Sequence, residues 1–253
     1  IGMFKEADDF YVKDQNGDFM LDDNFNKILV AIPEGKTIKE NEIWYGDYIF
    51  EDVNKDGVIN ESDRKFIGNP EPKFTYGFNT TLTYKDFDFN LSLVGVQGNK
   101  VFNYLRQVYT DPMRNSNLLM ETTRLANVGL IDPNGGHTFE NMHVINSDAR
   151  ICRIALDNSN NNNRMSSYFV EDGSYLRVKN ISLGYTFPKQ LIKRASIENL
   201  RLYFNVQNPF TFTRYKGFDP EIGAYNYNVL TRGIDYARYP SQVIYTFGLN
   251  VSL

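Results

Sequence analysis

The sequence predicts an all-β fold, with antiparallel strands that belong to the end of a large transmembrane β-barrel. Three observations carry that expectation. Runs of about ten residues alternate apolar and polar side chains, the length a tilted strand needs to cross a bilayer. Aromatic residues form 15% of the 253-residue chain, with 19 Phe and 17 Tyr, as two interfacial girdles would demand. Short turns also alternate with very long connections, the asymmetry of outer-membrane barrels.

Residues 1–44 carry Gly, Asp and Asn clusters without a sustained period and add little. The first strong alternation runs from Phe74 to Tyr84: Phe74, Tyr76, Phe78, Leu82 and Tyr84 share one face, while Thr75, Gly77, Asn79, Thr81 and Thr83 share the other. Lys85-Asp86 then makes a two-residue turn, and Phe87, Phe89, Leu91 and Leu93 alternate with Asp88, Asn90 and Ser92. The pair predicts a tight hairpin over 74–96. Over 180–187, Ile181, Leu183, Tyr185 and Phe187 alternate with polar residues, yet Leu176 and Val178 lie on the opposite parity. A bulge or a change of face is expected there. Leu200, Leu202, Phe204 and Val206 define a strand over 199–208, so 175–208 forms a strand pair. Val243, Tyr245, Phe247, Leu249, Val251 and Leu253 define a terminal strand over 243–253.

The connections order these strands in space. Residues 97–174 and 209–242 are long, whereas 85–86 and 188–198 are short. If the chain ends in the periplasm, both short turns fall on the periplasmic side and both long connections, with the 45–70 segment, fall outside. The alternating runs number about five, fewer than the roughly eight strands of the smallest closed barrel. Open edges in lipid leave backbone groups unpaired, and the chain begins at Ile1. The expectation is therefore the final part of a longer polypeptide.

Composition removes other classes. Lys and Arg total 27 against 31 Asp and Glu, so no basic face for nucleic acid stands out. Cys152 is the single cysteine, which excludes an intrachain disulfide and a thiolate metal site. No apolar run approaches the ~18 residues of a membrane helix. No GxSxG, Walker-type or dinucleotide loop is present, and nothing argues for an enzyme.

Asp52-x-Asn54-x-Asp56-Gly57-Val58, with Asp63 at the twelfth position, has the spacing of a calcium loop. Side-chain oxygens of Asp52, Asn54, Asp56 and Asp63, with the Val58 carbonyl, could surround one hard cation; Gly57 sits where such a loop turns sharply. The expected cofactor is structural calcium, and the alternative is an ion-free surface loop. Tyr215, Phe218, Tyr225, Tyr227, Tyr236 and Tyr239 crowd the 209–242 connection. They could stack on sugar rings or pack on a partner protein, or merely on neighbouring loops. His137 and His143 read as solvated loop histidines rather than ligands.

Three stretches in this order and spacing carry a family resemblance. The first is Gly46-Asp47-Tyr48 through the calcium-type loop to Ile67-Gly68-Asn69-Pro70-Glu71-Pro72. The second is Tyr168-Phe169-Val170-Glu171-Asp172-Gly173-Ser174-Tyr175-Leu176-Arg177-Val178-Lys179-Asn180, with Leu183-Gly184-Tyr185-Thr186. The third is Asn205-Val206-Gln207-Asn208-Pro209-Phe210-Thr211, with Gly217-Phe218-Asp219-Pro220-Glu221. Together they resemble the C-terminal region of the SusC/RagA family of TonB-linked outer-membrane proteins, over roughly 45–253. The resemblance implies a 22-stranded barrel whose plug domain and TonB box lie outside this chain. It also implies a SusD-like surface lipoprotein as lid, the TonB complex as energy source and oligosaccharides or peptides as substrates. The terminal Phe247–Leu253 segment resembles a barrel-assembly signal but ends in Leu rather than an aromatic residue. The competing reading is a secreted, soluble, β-rich calcium-binding module for carbohydrate binding or adhesion.

Overall fold

The computed structural model describes residues 2–252 except 112, 115–116, 156–158, 194–195 and 224–230. The chain divides into two compact units, one of residues 1–67 and 105–169 and the other of residues 68–104 and 170–253.

The first unit contains almost no regular structure, yet it has a core of its own. Among its described residues four two-residue strands pair: β1 (Gly2–Met3) lies antiparallel to β3 (Tyr48–Ile49), and β2 (Ile32–Pro33) lies parallel to β4 (Val58–Ile59). Phe4, Phe10, Ile43, Trp44, Tyr45 and Tyr48 bury against Met142, Val144 and Ala149. Phe4 stacks on Phe10 at 4.2 Å, and Phe10 meets Tyr45 and Phe139 edge-on. Such pairs add to the area they bury. Asp47, fully buried, is satisfied by the Trp44 N–H, the Arg153 guanidinium and the Asn162 amide. A buried carboxylate without those donors would be costly.

Residues 11–30 contain an eight-residue repeat that matches neither the helix nor the strand period. Val12, Met20 and Ile28 link in a ring: Val12 N–H donates to the Ile28 carbonyl, Met20 to Val12, and Ile28 to Met20. Asp14 and Asp22, eight apart, each accept backbone N–H groups from the second and fourth residues beyond. These Asx turns bring Tyr11, Phe19 and Lys27 together, with the Lys27 ammonium 3.6 Å from the Phe19 ring centre.

The second unit is built on a five-stranded antiparallel sheet. Its strands are β5 (Phe74–Tyr84), β6 (Phe87–Gln97), β9 (Tyr175–Thr186), β10 (Asn199–Thr213) and β11 (Ile244–Ser252), in the order β11-β10-β9-β6-β5. A short pair, β7 (Lys100–Phe102) with β8 (Val170–Asp172), continues from the ends of β6 and β9. The expected hairpin is in register from Phe74↔Gln97 to Tyr84↔Phe87. Lys85 takes the left-handed conformation, φ 54°, at its turn.

The parity conflict in the third alternating segment resolves as a bulge. β9 pairs Asn180 with Ser92 and then Val178 with Leu93, leaving Lys179 unmatched. The extra residue puts Leu176 and Val178 back on the face of Ile181 and Leu183. On β10 the ladder passes from Gln207↔Asn180 to Phe210↔Val178, with Asn208-Pro209 opposite Lys179. Asn208 adopts φ 51°, and Pro209, without an N–H, is tolerated at a bulge. The strand therefore runs on to Thr213, past the Asn-Pro that marks its end in the sequence reading.

Candidate functional site

The register assembles the apolar positions into continuous rows on one face. Phe78, Leu93, Val178 and Phe210 lie side by side; so do Leu82, Phe89, Leu183, Phe204 and Phe247; so do Tyr84, Phe87, Tyr185, Leu202 and Leu249. Most of the face is bare, Phe247 being 80% exposed and Tyr84 71%, with Val178 and Val206 covered by their neighbours in its middle. Aromatic rings gather at both ends, with Phe87, Tyr185 and Phe187 near the short turns and Phe74, Tyr76, Phe210 and Phe212 near the long connections. An 11-residue strand rising ~3.3 Å per residue at about 45° tilt climbs roughly 25 Å, the height of an outer-membrane apolar band. A soluble sandwich would bury such a face under a second sheet.

The opposite face is polar. Asp88 and Arg201 form a two-pronged ion pair, Nε–Oδ1 3.1 Å and Nη2–Oδ2 2.7 Å, reaching from β6 to β10 over Gly184 of β9. A side chain at 184 would enter the pair, with a Cβ 2.5 Å from Arg201 Nη2. Tyr203 likewise lies across Gly248.

Near the bulge the structure brings together two of the stretches that carry the family resemblance. Arg177, 2% exposed, donates to Asp219 Oδ1 (2.6 Å), Glu221 Oε2 (2.7 Å), Ser241 Oγ (2.8 Å) and Thr211 Oγ1 (2.8 Å). It ties both arms of the connection after β10 to the sheet. Burial raises the Asp219 carboxyl, but the Ser241 and Glu221 N–H groups and the Arg177 guanidinium outweigh it and hold the carboxyl at about 2. Sequence reasoning missed this clasp; its signal is a lone Arg amid the polar-face positions of β9, with Asp-Pro-Glu downstream. Beside it, Ser174 caps Asp172 and accepts from the Gly98 N–H. Gly173 passes so close to Asn99 and Val101 that a Cβ would collide.

The aromatic residues of that connection separate into different environments. Tyr215 is buried, and its hydroxyl donates to Asp235 at 2.5 Å. It anchors the connection and does not offer a ring face, a correction to its grouping with contact residues. Tyr236 packs against Tyr104, ring centres 4.8 Å apart and tilted by 51°, while Phe218 and Tyr239 are 68% and 75% exposed. Tyr225 and Tyr227 lie outside the described residues.

The acidic loop in the first unit is folded by its own carboxylates. Asp52 accepts from the Asp56 and Gly57 N–H groups, Asp56 from Val58, and Asp63 from Val53 and Asn60. The Asn60 N–H chiefly holds the Asp63 carboxyl below its ordinary value. Lys55 and Gly57 take left-handed conformations. Among the described residues no three His, Cys, Asp or Glu side chains converge as a metal would require. Asn54 and the Val58 carbonyl would have to complete any cation shell, and the all-oxygen donor chemistry fits calcium. His137 pairs with Glu40 and His143 lies 4.0 Å from Asp132, both exposed. Burial pushes the Cys152 thiol up to about 12, which keeps it from acting as a nucleophile.

No protein-family model matches the chain. It is 34% identical over 223 residues to TonB-dependent receptor P3 of Formosa agariphila, covering 87% of this chain and 20% of that one. It is 32% identical to TonB-dependent receptor SusC of Bacteroides thetaiotaomicron, covering 80% of this chain and 17% of that one. The fold matches the RagAB peptide importer in its closed-closed state with a TM-score of 0.58 at 17% identity, covering 99% of this chain and 22% of that one. A second RagAB structure matches with a TM-score of 0.56, covering 76% and 19%. The curated relatives are TonB-dependent receptors. The chain belongs to the SusC/RagA kind of TonB-dependent receptor, and it spans about a fifth of the relatives it matches.

Proposed function

We propose that these residues form the last strands of an outer-membrane transporter that imports oligosaccharides or peptides. TonB energises it, and a SusD-like surface lipoprotein works with it. The observation that carries this reading is the bare face of the five-stranded sheet, where apolar rows of membrane height end in aromatic rings. Its exposed Phe and Leu side chains would drive aggregation in water and are matched to lipid. The strands β5 and β11 at the sheet's edges take their partners from the rest of the polypeptide, because lipid tolerates no unpaired edge. The soluble adhesion reading has no use for that face. Phe218 and Tyr239, with Tyr236, contact either the substrate or the lipoprotein lid.

The test is uptake of labelled oligosaccharides and peptides by cells carrying the full-length receptor, with and without TonB. Uptake that needs both proteins is expected. Uptake indifferent to TonB would refute the reading.

The Asp52–Asp63 loop, in this reading, closes around one structural calcium ion held by Asp52, Asn54, Asp56, Asp63 and the Val58 carbonyl. The preformed turns and the hard oxygen donors support it, and sites on extracellular modules bind at roughly 0.1–1 mM. Titration of the full-length receptor should show calcium-dependent stabilisation that Asp52→Ala removes. No change at millimolar calcium would sink the site.

A further inference from the structure

The first unit holds a cleft of about 380 Å³ lined by Gly2, Met3, Lys5, Tyr48, Ala149, Arg150, Ser167 and Tyr168, within the range of small-ligand pockets. Its chemistry is one-sided. Two cations, Lys5 and Arg150, border it and among the described residues no acidic one does, on a chain whose net charge is −4.

The walls are fixed before any ligand arrives. Tyr48 and Tyr168 pack ring to ring at 5.1 Å. The Tyr48 hydroxyl donates to the Arg150 carbonyl, and the Tyr168 hydroxyl accepts from Arg106. The Arg106 guanidinium also lies 4.5 Å from the Tyr168 ring centre and pairs with Glu121. Both tyrosines are thus held by bonds that do not use the cleft. Lys5 donates to the Ser147 carbonyl, which leaves two of its three ammonium protons to offer. The Arg150 backbone is bonded on both sides, through its N–H to Asn127 and its carbonyl to Tyr48. Its guanidinium has no carboxylate partner among the described residues.

We infer that this cleft is a binding site for a carboxylate carried on a short oligomer, with Arg150 gripping the two oxygens, Lys5 adding charge and the partly exposed Tyr168, backed by the buried Tyr48, packing against the neighbouring sugar or amino-acid residue. Guanidinium presents the fork that fits a carboxylate, and an aromatic wall takes the apolar face of either a sugar ring or a peptide side chain. The site rests on the import reading and narrows it: the receptor selects acidic substrates, uronate-bearing or Asp/Glu-bearing.

The experiment is calorimetric titration of the full-length receptor in detergent with digalacturonate and with Glu-Ala. Maltose and Ala-Ala serve as neutral controls. One acidic probe should bind more tightly than its control, and which one does identifies the source of the carboxylate. Arg150→Gln should weaken that binding about tenfold, as expected for one charge-assisted pair. Arg150→Lys should recover part of it, and the thermal midpoint should stay unchanged. Lys5→Gln should weaken it less. Acidic probes that bind no better than the neutral ones, or equal affinity in R150Q and K5Q, would overturn the proposal. TonB-dependent uptake measured on the same receptor separates the two failures. Intact uptake without acid selectivity removes only the cleft, whereas uptake independent of TonB removes the import reading itself.

Discussion

Replacing Gly184 by Ala puts one methyl group into the Asp88–Arg201 pair. The added carbon would lie 2.5 Å from Arg201 Nη2 and 2.6 Å from Asp88 Oδ2, well inside van der Waals contact, so the two prongs must part. Both side chains are about a quarter exposed, 27% and 24%. Discounted for solvent, a two-pronged charged pair in that setting is worth about 1–1.5 kcal/mol. The methyl returns about 0.5 kcal/mol by restricting the unfolded chain, leaving a net loss near 0.5–1 kcal/mol. Gly77 on β5 provides the control, since a Cβ there meets only the Leu93 carbonyl at an ordinary 3.7 Å. Gly77→Ala should therefore be neutral or slightly stabilising. Urea unfolding of the full-length receptor, followed by the gel mobility of unheated samples, should separate the two variants by ~1–1.5 kcal/mol. Adding Asp88→Ala to both should collapse that gap, because the pair is already gone. Equal stability of the two single variants would show that Gly184 is not there to let the ion pair pass.

Phe247→Arg places a charge on the bare face and should cost about 2–4 kcal/mol, whereas Thr246→Arg on the polar face should be tolerated; similar folded yields in outer membranes would argue against lipid contact. Tyr215→Phe removes a buried donor to Asp235, which keeps the Ala237 and Arg238 N–H groups. A loss of about 1–2 kcal/mol, with faster hydrogen exchange confined to residues 214–223 and 231–243, is expected. Asp219 has a folded value of about 2 against 3.8, a depressed carboxyl that favours the folded state once pH is above the higher value. That contribution, about 2 kcal/mol, should be present at pH 6 and fade as pH falls from about 4 towards 2. Asp219→Asn, measured over the same range, should lack that slope.

The strands were legible because a half-buried sheet writes itself as period two. Phe74–Tyr84 and Phe87–Gln97 need only that alternation and the Lys85-Asp86 turn. The bulge at Lys179 was legible too, since a parity break inside one strand has few other solutions. Pro209 misled for a physical reason: a missing N–H ends a regular ladder, but here a bulge excuses it, and nothing local in the sequence announces the bulge on β10. The first unit was illegible as a folded body. Its core joins Phe10 and Trp44 to Phe139 and Met142, contacts remote in sequence that leave no period, and its eight-residue repeat matches neither helix nor strand. Of the site residues, the acidic loop is an expectation from spacing alone. The Arg177 clasp did not, because it depends on which loop folds back over β9.

The first unit's core is made by two stretches of chain, 1–67 and 105–169, that are separated in sequence by the β5–β6 hairpin. Neither stretch can bury Phe10, Tyr45 or Met142 without the other, so together they behave as one heritable cassette written in two instalments. Recombination between related receptors that exchanged only one stretch would pair mismatched halves of an aromatic core and of the Asp47–Arg153 bridge. The first unit can be transplanted as a folded body between such receptors only when both stretches travel together.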